Sequence, residues 1–221
     1  MRSVLLIAVA LLLVALGFKQ EQVHRQALLG TTPVEVRAHD QAVRIYSTGW
    51  NMPLREIGQR PIYKSIFVGA TEYNKHNTLG PGLTIIEKFQ DGGTGPMRHF
   101  NVADRIEDGV ALSFFLDEVR PLSVLLIGSN TRIGPDTSRP ELYREQLAGL
   151  LLRLDAQSAP TSVVVQSFAH ICIKRKDGTF GAIAEVFSTT NGVSLSYVIP
   201  GDHSKLLDVK AERLLDGRKP V

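Results

Sequence analysis

Gly80-Pro-Gly-Leu-Thr-Ile-Ile86, followed by Phe100-Asn-Val102, Phe114-Phe-Leu116 and Val124-Leu-Leu-Ile-Gly128, is the part of this 221-residue chain that decides its fold. Residues 83–89 read as a strand that ends in the turn-rich Asp91-Gly-Gly-Thr-Gly-Pro96, and residues 97–102 read as its hairpin partner. Asp108 stands where an N-cap is wanted. After it Ala111, Leu112, Phe115, Leu116 and Val119 recur at helical spacing. Residues 122–127 are apolar but for Ser123, which predicts a strand covered on both faces.

Working toward the C-terminus, Ser138-Arg-Pro-Glu141 is a capping box with proline in the first turn. It opens a predicted helix through Leu154, with Tyr143, Leu147, Leu150, Leu151 and Leu154 on one stripe. Strands are predicted over 161–166, 168–174, 179–187 and 193–199. Lys176-Asp-Gly178 and Asn191-Gly192 favour tight turns, so the final two or three strands read as a meander. The charged tail after Gly201 reads as a short helix or a loose end. Toward the N-terminus, Val34-Glu-Val-Arg37 and Val43-Arg-Ile-Tyr46 alternate as half-buried strands do, with a turn at Asp40-Gln41; residues 47–60 read as loop and 62–68 as a strand. The expected fold is one α+β domain over residues 34–200, with twisted, mainly antiparallel sheets flanked by two principal helices. Residues 201–221 form the tail.

The first 18 residues are a different kind of sequence. Met1-Arg-Ser3 precedes an apolar run from Val4 to Phe18 that carries no charge until Lys19. About 15 apolar residues is signal-peptide length and shorter than the ~20 of a comfortable spanning helix. Ala15-Leu16-Gly17 supplies small residues for cleavage after Gly17, whereas the polar, helix-favouring run 19–26 suits an uncleaved anchor leading into a stalk. Both readings stand, with residues 19–33 as stalk or linker. Either one places the bulk of the protein outside the cytoplasm, secreted, periplasmic or held by one N-terminal membrane segment; Arg2 on the inner side fits that orientation.

Composition narrows the function classes. The chain is 43% hydrophobic and 21% charged, with a mean hydropathy of +0.01, enough for a globular core. Its net charge of +3 is scattered, and Lys174-Arg175-Lys176 is the only basic run, so no nucleic-acid footprint is present. The single cysteine, Cys172, excludes an intrachain disulfide.

No stretch carries a reaction signature. Gly80-Pro-Gly82 and Asp91-Gly-Gly-Thr-Gly95 match neither a Walker loop nor a dinucleotide fingerprint. His170 and Cys172 share a strand face, yet neighbours at that spacing seldom bring sulfur to imidazole, and no further metal ligands lie at motif spacing, so the pair reads as structural. Ser129 follows an apolar strand, but Asn130-Thr131 replaces the second glycine of a nucleophile elbow. Asp104, Glu107 and Asp108, or Asp117 and Glu118, read as partners of a helix dipole and an exposed face before they read as paired catalytic carboxylates. No catalytic residue, cofactor or metal is expected.

The order of elements over residues 62–187 resembles the interleukin-like EMT-inducer (PANDER-like) domain family. Lys64-Ser-Ile-Phe-Val-Gly69 resembles its early strand and Gly82-Leu-Thr-Ile-Ile86 its Gly-Leu-Asn-hydrophobic strand. Phe100-Asn101 stands where the family has Phe-Asp, and residues 112–116 fit its Leu-x-x-Phe-Leu helix. Residues 124–127 fit the next strand, 142–154 the second helix, Leu154-Asp-Ala156 a Leu-Gly-Ser turn, and 168–173 an aromatic strand. The resemblance implies twisted antiparallel sheets with flanking helices and no active site. It also implies sugar binding, as in a glycosyltransferase-stem member, through an acidic residue after the 124–127 strand and an arginine before the aromatic strand. Here Ser129-Asn-Thr-Arg132 and Val165-Gln166 occupy those places, and the family's cysteines are missing.

The expectation is therefore a non-catalytic extracytoplasmic binding domain for glycans, with Asn130, Arg132, Asp136 and Gln166 as planar polar groups and Trp50 as an aromatic platform. The rival is a protein-interaction subunit of a membrane-associated envelope complex. A third reading is an envelope hydrolase using His170, Cys172 or a carboxylate pair.

Overall fold

The computed structural model describes residues 40–48, 55–57, 60–62, 64–73, 82–102, 105–129, 141–156, 167–190 and 192–215, with backbone alone at 55–57, 60–62 and 213–215. All belong to the compact unit Ala38–Val221. The expected strands at 34–37 and 161–166, the turn residues 138–140 of the capping box, the apolar leader and the stalk lie outside the described residues.

The protein is α+β, with two α-helices among the described residues on mostly antiparallel sheets. The strands are β1 (Gln41–Ser47), β2 (Arg55–Ile57), β3 (Arg60–Ile62), β4 (Lys64–Val68), β5 (Thr71–Tyr73), β6 (Leu83–Lys88), β7 (Arg98–Phe100), β8 (Val124–Ser129), β9 (Ser167–Lys174), β10 (Phe180–Ser188), β11 (Val193–Ile199) and β12 (Glu212–Leu215). The helices are α1 (Ile106–Glu118) and α2 (Glu141–Arg153). A six-stranded sheet runs β12-β10-β9-β8-β6-β7, a four-stranded sheet runs β11-β1-β4-β5, and β2-β3 form a separate ribbon.

Three layers follow from two apolar cores on opposite faces of the six-stranded sheet. On one face Leu83, Ile85, Leu125, Ile127 and Phe168 pack against Leu112, Leu116, Leu147 and Leu151 of the helices. On the other, Ile86, Leu126, Ile171 and Val186 meet Val43, Ile45, Ile66 and Leu195 of the four-stranded sheet. Period-2 alternation sends successive residues of β6 and β8 to different cores. This is why Val124–Ile127 of β8 are all apolar and the strand is buried at every position.

Five features depart from the sequence expectations, the first being the β2-β3 ribbon, which forms where residues 47–60 read as loop and takes Ile62 from the strand expected over 62–68. Helix α1 starts at Ile106 rather than behind Asp108, and its N-cap residue Arg105 makes no side-chain cap; the Asp108 carboxylate instead accepts the Asn101 N–H at 2.7 Å, tying the helix to the end of β7. Gln41 lies in β1 rather than in a turn, since pairing with Ile199 extends the strand. β11 does not continue the β9-β10 hairpin as a third meander strand but crosses to the four-stranded sheet and pairs with β1. The tail holds a short 3-10 turn, His203–Leu206, and then β12, which joins β10 in parallel as an edge strand. Long-range pairing decides the last two, and local turn chemistry does not reach it.

Helix α2 ends in a Schellman motif. Ala156 N–H donates to Leu151 O at 2.9 Å and Asp155 N–H to Leu152 O at 3.0 Å, with Asp155 left-handed at φ 57°. Arg153 then staples the two helices by donating to the Ser113 carbonyl at 3.1 Å and by pairing with Asp117.

Candidate functional site

Trp50, Asn130, Arg132, Asp136 and Gln166 all lie outside the described residues. The strands beside them are described. β8 stops at Ser129 and β9 starts at Ser167, and Ser129 is paired with Phe168. The chain thus leaves and re-enters the six-stranded sheet at one common end.

At this end the core between the sheets turns polar. Val43 and Ile45 of β1 belong to the inter-sheet core, so alternation places Ser47 on the same face, and Ile66 and Val68 do the same for Lys64. Ser47 and Lys64 are opposite each other in register. From the facing sheet Thr84 arrives on the side of Ile86, and His99 is its cross-strand partner. Lys64 Nζ stands 3.1 Å from His99 Nδ1 and 3.4 Å from the Gly82 carbonyl, while Thr84 Oγ1 is 3.1 Å from the same Nδ1. Ser47 Oγ donates to the Ser129 carbonyl, joining the sheets. Gly128 makes room, since a Cβ there would lie 3.3 Å from Ile45 Cγ2 and 4.0 Å from Lys64 Cβ.

Desolvation by burial pulls the Lys64 ammonium from 10.5 down to about 7. The residue as a whole is half-buried, while its amine sits beside His99 and the Gly82 carbonyl. An amine, an imidazole and hydroxyls from four strands of two sheets converge here, offering both donors and acceptors. The sequence reading missed Lys64, Thr84 and His99. The polar residues interrupting apolar strands at Ser47, Lys64 and Thr84 were the available signal.

The second polar cluster is sealed. His170 and Cys172 do share a face, as expected, and the structure adds Glu185. His170 Nδ1 is 2.8 Å from Glu185 Oε2 and its Nε2 is 3.0 Å from the Leu154 carbonyl, with His170 and Glu185 both fully buried. Burial opposes a charge on His170, but hydrogen bonds to Cys172 and Glu185 outweigh it and raise the imidazole from 6.5 to about 10. A bulge creates the pair. The register shifts between Ala182 and Ala184, so Ile183 and Ala184 both face the inter-sheet core and Glu185 emerges opposite His170. The Ala182 N–H beside the bulge donates to Asp155 Oδ2 at 2.9 Å. His170 thus ties the C-terminal end of α2 to the sheet, where a cation also meets the negative end of the helix dipole. Its Nε2 is directed at Leu154 rather than at a thiol, and Cys172 is fully buried, so the trio has the arrangement of a structural staple.

The other residues weighed for chemistry are dispersed. Ser129 is a buried strand end whose carbonyl is used by Ser47, and Asp117 is taken by Arg153. Among the described residues no group of three or more His, Cys, Asp or Glu side chains could hold a metal, and no helix is long and apolar enough to cross a membrane.

The class these observations define is a three-layer α+β sandwich, helices on a six-stranded sheet on a four-stranded sheet, with a cluster of polar side chains at one end. Neither protein-family models nor curated proteins match the chain.

Proposed function

We propose that this chain is a non-catalytic extracytoplasmic binding domain that takes carbohydrate at the polar end of the sandwich. The observation that carries the reading is the convergence of Lys64, Thr84 and His99 at the end where β8 stops and β9 starts. Sugar hydroxyls require closely spaced donors and acceptors on a rigid frame, and here the frame is strand backbone from two sheets. Two sequence features support it. The apolar leader suits an exported chain, and the resemblance to the interleukin-like EMT-inducer family implies sugar contacts after the strand that is β8 and before the one that is β9, where this chain carries Ser129-Asn-Thr-Arg132 and Val165-Gln166 in place of the residues associated with that role. Asn130, Arg132, Asp136, Gln166 and Trp50 are the further ligand residues that this proposal names from the sequence.

The test is a glycan-array screen of the purified protein beside Lys64→Met and Thr84→Val. Retained polysaccharides that both variants lose are the expected result. An array without signal above background, or hits that both variants keep, refutes the reading.

One observation favours the rival, a subunit of an envelope complex. Val110 and Phe114, one turn apart on α1, are 45% and 66% exposed. A stoichiometric partner in pull-downs from detergent-solubilised membranes, lost in Phe114→Asp, would establish it; the glycan reading expects none.

A further inference from the structure

A concave surface lies at the opposite end of the six-stranded sheet. β6 carries Leu83 at the polar end and Lys88 at the other, roughly 17 Å away along the strand. There Glu87 and Phe89, Arg98 at the start of β7, Phe115 and Glu118 near the end of α1, and Arg120 just after it line a cleft of about 220 Å³. We propose that this cleft is a binding site for a neutral sugar ring, separate from the polar end and independent of the reading given for it.

The cleft is built around two arginine–aromatic stacks. The Arg120 guanidinium lies 4.7 Å from the centre of the Phe89 ring, and the Arg98 guanidinium lies 4.8 Å from that of Phe115. Stacking fixes a guanidinium plane without using its N–H edges, so the fork is pre-organised for a ligand. Among the described residues neither guanidinium donates to a protein acceptor. The frame beneath is rigid. Gly95 N–H donates to the Glu87 carbonyl at 2.8 Å and Phe89 N–H to the Gly93 carbonyl at 2.9 Å, which pins the turn. Glu87 Oε1 accepts the Arg120 N–H at 3.3 Å, which aims that carboxylate.

The charge pattern selects the ligand class. Two carboxylates, Glu87 and Glu118, face the cleft with two guanidiniums, so the lining has no net charge. An anion would meet both carboxylates and a cation both arginines, and each would lose on one pair what it gained on the other. A neutral polyol meets no such conflict. Vicinal hydroxyls accept from guanidinium N–H groups and donate to carboxylates, while a sugar's C–H groups rest on Pro96, the exposed apolar residue of the lining that no guanidinium covers. The volume admits one ring and excludes a drug-sized ligand.

The test follows the Nε–Hε resonances of Arg98 and Arg120 by NMR during titration with the methyl glycosides of glucose, galactose and mannose, and with glucuronate as a charged control. Saturable shifts of both resonances with at least one neutral glycoside, and weaker shifts with glucuronate, are expected. Glu118→Gln, an exposed substitution that leaves the core untouched, should weaken binding about tenfold. Lys64→Met, at the far end, should leave these titrations unchanged, so failure at one site is distinguishable from failure at the other. No shift with any neutral glycoside overturns the site. Tighter binding of glucuronate, or full binding by Glu118→Gln, overturns the ligand class.

Discussion

The His170–Glu185 pair allows a sharp prediction, because its geometry fixes its proton count. A main-chain carbonyl can only accept, so the Nε2 that meets Leu154 O must carry hydrogen. Glu185 faces the other nitrogen at 2.8 Å, and that contact needs one proton as well. The folded protein therefore binds one proton more at this pair than separate neutral imidazole and carboxylate would. Truncation by Glu185→Ala leaves a buried, uncompensated imidazole and should cost about 3–5 kcal/mol. The raised imidazole pKa points in the same direction. Since the folded value lies above the unfolded one, this stability is fully present below pH 6.5 and is lost as pH rises through about 10. Lys64 titrates in an overlapping window with the opposite sign, so the quantity to measure is the difference between wild type and variant. Urea unfolding at several pH values should show the cost of Glu185→Ala shrinking across that window. Glu185→Gln should cost less at high pH, because its amide can donate to Nδ1 of a neutral imidazole. A difference that does not change with pH, or a cost under about 0.5 kcal/mol, would refute the argument.

The Lys64 ammonium, lowered to about 7 by burial, makes the unfolded state the better proton binder up to 10.5, so this group makes stability rise with pH there. Lys64→Met should flatten that slope in the same urea series, and an unchanged slope would count against an enclosed amine. Gly82→Ala should destabilise by about 1–3 kcal/mol, since its Cβ would fall 2.1 Å from the Phe100 carbonyl and force β6 from β7; a wild-type melting temperature would contradict this. Cys172 is fully buried, so a thiol reagent should label the native protein only as fast as it opens, and immediate labelling without denaturant would show the core assigned here to be wrong.

What could be read along the chain was whatever burial imposes locally. The apolar run ending in Ile127 announced a strand with two covered faces, and Leu147, Leu150 and Leu151 announced the buried stripe of α2. Even here boundaries moved. Leu122 adopts φ 64°, held by its N–H to the Lys174 carbonyl at 2.8 Å, so β8 begins two residues later than its apolar run. The candidate sites were less legible. Glu185 was visible only as one charge inside an apolar strand, and strict alternation would have turned it toward the inter-sheet core.

The sequence by itself determined the α+β class, the two helices and the strands that alternate or run apolar, because side-chain period records which face meets water. It also determined that His170 and Cys172 share a face. Only the tertiary structure decided that β11 crosses to β1, that β12 closes the edge of the larger sheet, and that a bulge at Ile183 delivers Glu185 to His170. It alone brought Lys64 to His99 and set Arg98 and Arg120 on their rings. Periodicity carries the direction a residue faces. Its partner, tens of residues away, is chosen by packing of the whole sandwich, which no local pattern contains.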